Sequence, residues 1–160
     1  MAKIFETSQD IVDLAYDKFN ETGLIHMGIN LKIMSVTSSK DVLKVSRANA
    51  TTEFLTKSED VVTLYVYEDV FDRLTDEQKS ILMEGALSNV SYDSEKEKLN
   101  VNTDKVWELI TMRRKYPNYP DIVEACYLIV EQIKEEEKAR KEEEKARKAD
   151  ERAMKRKNNM

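Results

Sequence analysis

After Ile133 the chain contains no Val, Leu, Ile or aromatic residue. A folded core is made by removing apolar side chains from water, so any core must be assembled from the residues before this point. The residues beyond it form a repeat instead: KEEEKAR at 134–140 recurs unchanged at 141–147, with a looser third copy behind it. Glu136–Arg140, Glu137–Lys141 and Glu144–Lys148 stand at i,i+4 with the acid first, the order in which each pair adds a few tenths of a kcal/mol to a helix. Ala139, Ala146 and Ala153 recur every seven residues without Leu or Ile beside them. A coiled-coil seam needs two apolar positions per heptad, so the segment reads as a solvated helix. Continued from Pro120, a helix over 121–156 would span roughly 54 Å.

The chain accordingly divides into a folded domain at 1–133 and a highly charged helical extension at 134–160. From Lys134 to Lys157 there are 11 Lys/Arg and 8 Asp/Glu, a net of +3, and the whole chain is -5, which leaves -8 on the remainder. An acidic body speaks against a broad nucleic-acid surface. The extension offers Arg140, Arg147, Lys155, Arg156 and Lys157 as a possible partner arm. Nucleic acid is a weakly supported partner, because the three cations Lys155–Lys157 supply little affinity at physiological salt. With 36% charged residues and no apolar run near the roughly 18–20 residues of a membrane span, no membrane role is expected. The start, MAKIFETSQD, lacks the apolar core of a signal peptide, and one cysteine, Cys126, permits no internal disulfide. Both fit the cytoplasm.

Within the body, Ile11, Val12, Leu14, Ala15 and Phe19 have helical spacing behind Ser8, a candidate cap. GINLKIMSV and DVLKVSRA read as strands with TSSK as the turn between them, and a polar stretch, NATTEFLTKSED, leads to VVTLYVYEDV, the strongest strand signal. Thr75 and Gln78 have capping-box spacing and open a helix from Asp76 to about Val90. KLNVNT reads as a short edge strand. Thr103 is expected to cap a helix over Asp104–Arg114, KYPNYP breaks it, and Pro120 opens the last helix. Ile122, Val123, Cys126, Ile129, Val130 and Ile133 form the stripe by which that helix docks. The expected class is α+β, a small, mostly antiparallel sheet packed against helices, with a long charged C-terminal helix.

The stretch SILMEGALSNV poses the functional question, because Gly85, Ala86, Ser88 and Asn89 fall inside the 76–90 helix. A mid-helix Gly costs about 1 kcal/mol relative to Ala. Either Gly85 and Ala86 allow another element to approach closely, or the face has lost the side chains it once carried. Other chemistry is thin. His26 is the only histidine and reads as a surface residue; Cys126 sits on the apolar stripe and reads as a buried thiol. Asp69 with Asp72, or Glu84 with Asp93, could form carboxylate pairs, but solvated acids are far commoner. Gly23, Gly28 and Gly85 are isolated, so no phosphate loop exists. Tyr116, Tyr119 and Tyr127, near Arg113, Arg114 and Lys115, read as a helix-break hinge packed by tyrosines before they read as a base-stacking platform.

The order of elements, with VVTLYVYEDVFDRLTDEQ leading into LMEGALSNVSYD and then YPDIVEACYLIV, resembles the zinc metallopeptidase domain found in many phage genomes, a relative of the SprT-like zincins. The resemblance covers roughly residues 8–133 as order and pattern, and 67–93 as motif. It implies a zincin-like fold whose active-site helix carries His-Glu-x-x-His. In that motif two His at i and i+4 hold zinc on one helix face while the Glu activates the bound water. Here the first His position falls on Gly85, the Glu on Ala86 and the second His on Asn89. The resemblance therefore implies a degenerate, metal-free pseudoenzyme with no cofactor. It would act by binding a host or phage protein, in the host cytoplasm or packaged in the virion. The alternative class is a virion or nucleoprotein component anchored by the charged helix, and an active metallopeptidase comes third.

Overall fold

Val61–Val66, the most apolar run in the sequence, becomes strand β4 of the computed structural model, which describes residues 3–56 and 60–159. Five of its six residues are buried, so it needs neighbours on both edges and cover on both faces. β2 (Asn30–Val36) lies parallel to it and β3 (Leu43–Arg47) antiparallel, with Ile33 and Val45 both in register with Leu64. β1 (Ile4–Phe5) pairs antiparallel with the far edge of β2, giving the order β1-β2-β4-β3. The sheet is thus mixed: two of its three pairings are antiparallel, as expected, but the central pair β2–β4 is parallel. The two strands flanking TSSK do not pair with each other, because the more apolar β4 takes the place between them.

Other elements depart from expectation for local reasons. α1 (Gln9–Glu21) begins after Ser8, but the Ser8 side chain caps nothing; its N–H instead donates to Glu68 Oε1 at 2.8 Å. Gly23 and Gly28 hold positive φ on either side of a short 3₁₀ turn, Leu24–Met27, on which His26 is exposed. Part of the polar stretch forms α2 (Ala50–Thr56), and its positions 57–59 lie outside the described residues. The chain leaves the sheet after Val66, and α3 (Glu68–Phe71) takes residues expected to prolong the strand.

α4 (Asp76–Leu87) opens with the expected capping box: Gln78 N–H donates to Thr75 Oγ1 at 3.2 Å and Thr75 N–H to Gln78 Oε1 at 3.0 Å. It packs on α1 and on β3, and its buried residues include Ile81, Leu82, Met83, Gly85, Ala86 and Leu87. Full burial of each large apolar side chain contributes about 1.5–3 kcal/mol. The helix ends at Leu87, short of Val90. Val90 starts β5 (Val90–Asp93), which turns back through Glu97 at φ 48° into β6 (Lys98–Val101), a separate two-stranded ribbon. α5 (Lys105–Lys115) is capped by Asp104, whose Oδ1 accepts from Val106 and Trp107 N–H; Thr103 does not cap it.

α6 (Tyr119–Asn158) runs 40 residues, with Pro120 in its first turn, a length of roughly 60 Å. Ile122, Cys126, Val130 and Ile133 are buried, with Val123 and Ile129 packed beside them, so the expected stripe docks on the body. From Lys134 to Asn159 every described residue is exposed. Lys148 pairs with Glu144 at 3.0 Å as its spacing suggests. Glu136 does not turn to Arg140; it takes a two-pronged bond from Arg73 at 3.2 and 2.8 Å, which ties the root of the projecting helix to the body just after α3.

Candidate functional site

Gly85 is where three helices converge. A Cβ built there would overlap the Tyr119 hydroxyl and sit 2.9 Å from ring carbon Cζ. Tyr119, at the first turn of α6, is 1% exposed. The ring enters because the chain turns sharply between α5 and α6, with Tyr119 N–H donating to Tyr116 O at 2.9 Å. The mid-helix glycine therefore has a packing reason, the close approach of another element to α4.

A buried phenol needs a partner for its O–H. Tyr119 donates to Glu108 Oε2 at 3.1 Å, and Glu108 Oε1 accepts from Asn89 Nδ2 at 2.6 Å. The same Asn89 amide reaches the Gly85 and Ala86 carbonyls at 3.4 and 3.2 Å, while Ser88 Oγ donates to Gly85 O at 2.6 Å. Gly85 O is a carbonyl that a helix end leaves without a backbone donor, and Ala86 O also accepts from Asn89 N–H at 3.3 Å, so Ser88 and Asn89 together close α4. Asn102 Nδ2 completes the chain by donating to Asn89 Oδ1 at 3.1 Å, and Asn102 N–H donates to Asn89 O at 2.7 Å. Tyr119, Glu108, Asn89 and Asn102 thus form one satisfied network joining α6, α5, the end of α4 and the exit of β6. Burial first, then the Glu108 carboxylate, hold the Tyr119 hydroxyl far above its ordinary pKa. It is a neutral donor.

One turn earlier on α4, Glu84 meets the other end of α5. Lys115 pairs with Glu84 Oε1, and Tyr116 Oη donates to Oε2 at 2.6 Å. Desolvation pushes this carboxyl up, but the bonds from Lys115 and Tyr116 outweigh it and hold the group below its usual range. Glu84 has no link to Asp93, whose carboxylate instead receives the turn N–H groups of Glu95 and Lys96. Asp69 and Asp72 border a groove with Arg73 and Glu136.

Beside the network two cavities adjoin, of about 150 and 120 Å³, sharing Asp41, Leu43, Ala86, Lys105 and Glu108 in their walls. The larger is floored by apolar side chains, Leu82, Val123 and Cys126 among them, with Tyr127 at its rim. An ion pair between Lys105 and Asp41 crosses the cleft between the α5 start and the segment before β3. Burial raises the Cys126 thiol to about 11, which leaves it protonated and inert at neutral pH.

The residues at the motif positions do not fit zinc. Gly85 and Ala86 have no side-chain ligand atom, the Asn89 amide is committed to Glu108, Asn102 and the α4 carbonyls, and the Tyr119 ring fills the space over Gly85. Among the described residues no three His, Cys, Asp or Glu side chains converge to hold a metal ion. The structure brings Ala86 and Asn89 to the cleft wall and seals Gly85 beneath Tyr119. The arm residues are all exposed. At 100° per residue Arg140 and Arg147 share a face, whereas Lys155, Arg156 and Lys157 spread around the helix.

Sequence reasoning missed Glu108 and Asn102. Glu108 carried a readable signal, since it stands four residues before Met112, the buried residue of α5, and an acid on a core-facing stripe asks for a partner. No family model matches the chain, and neither curated proteins nor solved structures provide a match to it.

Proposed function

We propose that this chain is a non-catalytic, metal-free, metallopeptidase-like phage protein that acts by binding another protein, host or viral, through the cleft walled by β3, α4, α5 and α6. The observation that supports the metal-free, non-catalytic part of the reading is the Tyr119 hydroxyl packed over Gly85. Where the resemblance calls for zinc ligands, the chain has a tyrosine whose donor is already satisfied by Glu108. Zincin chemistry needs two imidazoles and a water-activating Glu on one helix face, and this face offers a glycine, an alanine and a hydrogen-bonded asparagine. A scaffold without that chemistry still presents a concave, partly apolar surface rimmed by fixed polar groups, the form of most binding sites. A cavity of about 150 Å³ admits one or two anchoring side chains of a partner, the kind of contact that dominates interface energy.

The test is affinity capture from phage-infected cells with the full chain, with Tyr127→Glu and Lys105→Glu, and with a chain ending at Lys134. A defined protein should be captured by the full and shortened chains and lost with both cleft variants. Capture indifferent to the cleft variants, or zinc-dependent hydrolysis of peptide bonds by the purified chain, would overturn the proposal.

A further inference from the structure

The projecting part of α6 carries more order than its repeat suggests. Lys138, Lys141, Lys145, Lys148, Arg152 and Arg156 follow one another at steps of three or four residues. At 100° and 1.5 Å per residue these six cations fall within an arc of about 80° and along a row of about 27 Å. The five acids between 138 and 158, Glu142, Glu143, Glu144, Asp150 and Glu151, all fall outside that arc. All six cations are exposed. Among the described residues only Lys148 of the six has an ion-pair partner, Glu144 at 3.0 Å.

Each cation in the row has a like charge at i,i+3 or i,i+4, an arrangement that repels within an isolated helix. Lys138, Lys141, Lys145 and Lys148 also have an acid at that spacing, whereas Arg152 and Arg156 have none. A row of anions at comparable spacing relieves that repulsion. Over 138–158 the helix holds ten Lys/Arg and five Asp/Glu, a net of +5, so the rest of the chain carries -10. The body repels polyanions while the arm attracts them, and the tie between Arg73 and Glu136 fixes the root from which the arm departs.

We infer that this face of α6 docks along the phosphate backbone of duplex nucleic acid without reading its sequence. A straight row of about 27 Å approaches one helical turn of duplex, about 34 Å, and a stiff helix keeps its cations collinear against a stiff polyanion. A membrane-surface helix would need an apolar face opposite the cations; here the far faces carry alanines, acids, Arg140 and Arg147, with Met154 the largest apolar residue. The contacts are to phosphates, so affinity falls steeply with salt.

The experiment is fluorescence anisotropy of a labelled duplex of about 20 base pairs with the full chain, titrated between about 50 and 200 mM salt. Log affinity should fall against log salt with a slope of about -4.5 to -5.4, from five or six phosphates neutralised. Lys138→Gln with Lys145→Gln should lower the slope by about 2 and weaken binding at least tenfold. Arg140→Gln with Arg147→Gln, equal in charge but off the row, should change it less than threefold, and circular dichroism should show both variants equally helical. No duplex binding at the lowest salt, equal losses from the two variants, binding to anionic vesicles but not to duplex, or self-association abolished by the row variant would each overturn the inference.

Discussion

A single added methyl at position 85 has nowhere to go, because the Tyr119 hydroxyl and Cζ occupy the space and Glu108 holds the ring in place. Alanine is the better helix former by about 1 kcal/mol, but overpacking a fixed site costs about 1–3 kcal/mol, so Gly85→Ala should destabilise despite its propensity. Tyr119→Phe removes the overlapping oxygen and leaves Glu108 Oε2 without its donor, a loss of about 1–2 kcal/mol. The two changes share one contact, so they should not be additive. In urea unfolding the double variant should be more stable than the sum of the single losses predicts, and strict additivity would mean that the contact is not what makes residue 85 a glycine. Gly85 was visible in the sequence as an anomaly. Its partner was not, because nothing in a linear pattern says which of three tyrosines around a helix break will turn inward.

Among the elements, α4 is held at two levels by α5, through Glu84 with Lys115 and Tyr116, and through Asn89 with Glu108. The Glu84 carboxyl sits below its ordinary value of 4.5 in the folded chain. Its contribution is therefore present above that value and is lost as pH falls through the folded value. Glu84→Gln should lower stability by about 1 kcal/mol at pH 7, and the gap to wild type should close as pH falls through the lowered folded value; a gap independent of pH would show that the ionised carboxylate is not the cause. α6 behaves as two elements joined end to end. Truncation after Lys134 removes only exposed residues and the Arg73 tie, so the melting temperature should stay within a few degrees, since exposed ion pairs contribute little. A large fall would show that the arm packs on the body or on a second copy. The helical stripes of α1, α4 and α6 and the capping box were legible because each depends on neighbours three or four residues away. The central parallel pair was not. Which strand takes the middle of a sheet is decided by burial on both faces, a property of the whole assembly.

At the scale of the molecule, a packed body carries a projecting charged helix, and no described helix is long and apolar enough to cross a membrane. That Ile133 is the last buried residue of α6 could be read directly, because a core cannot be built without apolar residues. The cleft could not, since it arises where β3, α4, α5 and α6 meet from distant parts of the sequence. At Gly85, where the proposed function would put a lost zinc ligand, α4 makes a packed tyrosine contact. Elemental analysis of the purified full chain after a chelator wash, paired with its melting temperature before and after the wash, tests the metal-free claim most directly. A metal that binds only the folded state adds to stability, so far less than one zinc per chain and an unchanged melting temperature are expected. About one zinc per chain, with a melting temperature that falls on chelation, would contradict the claim.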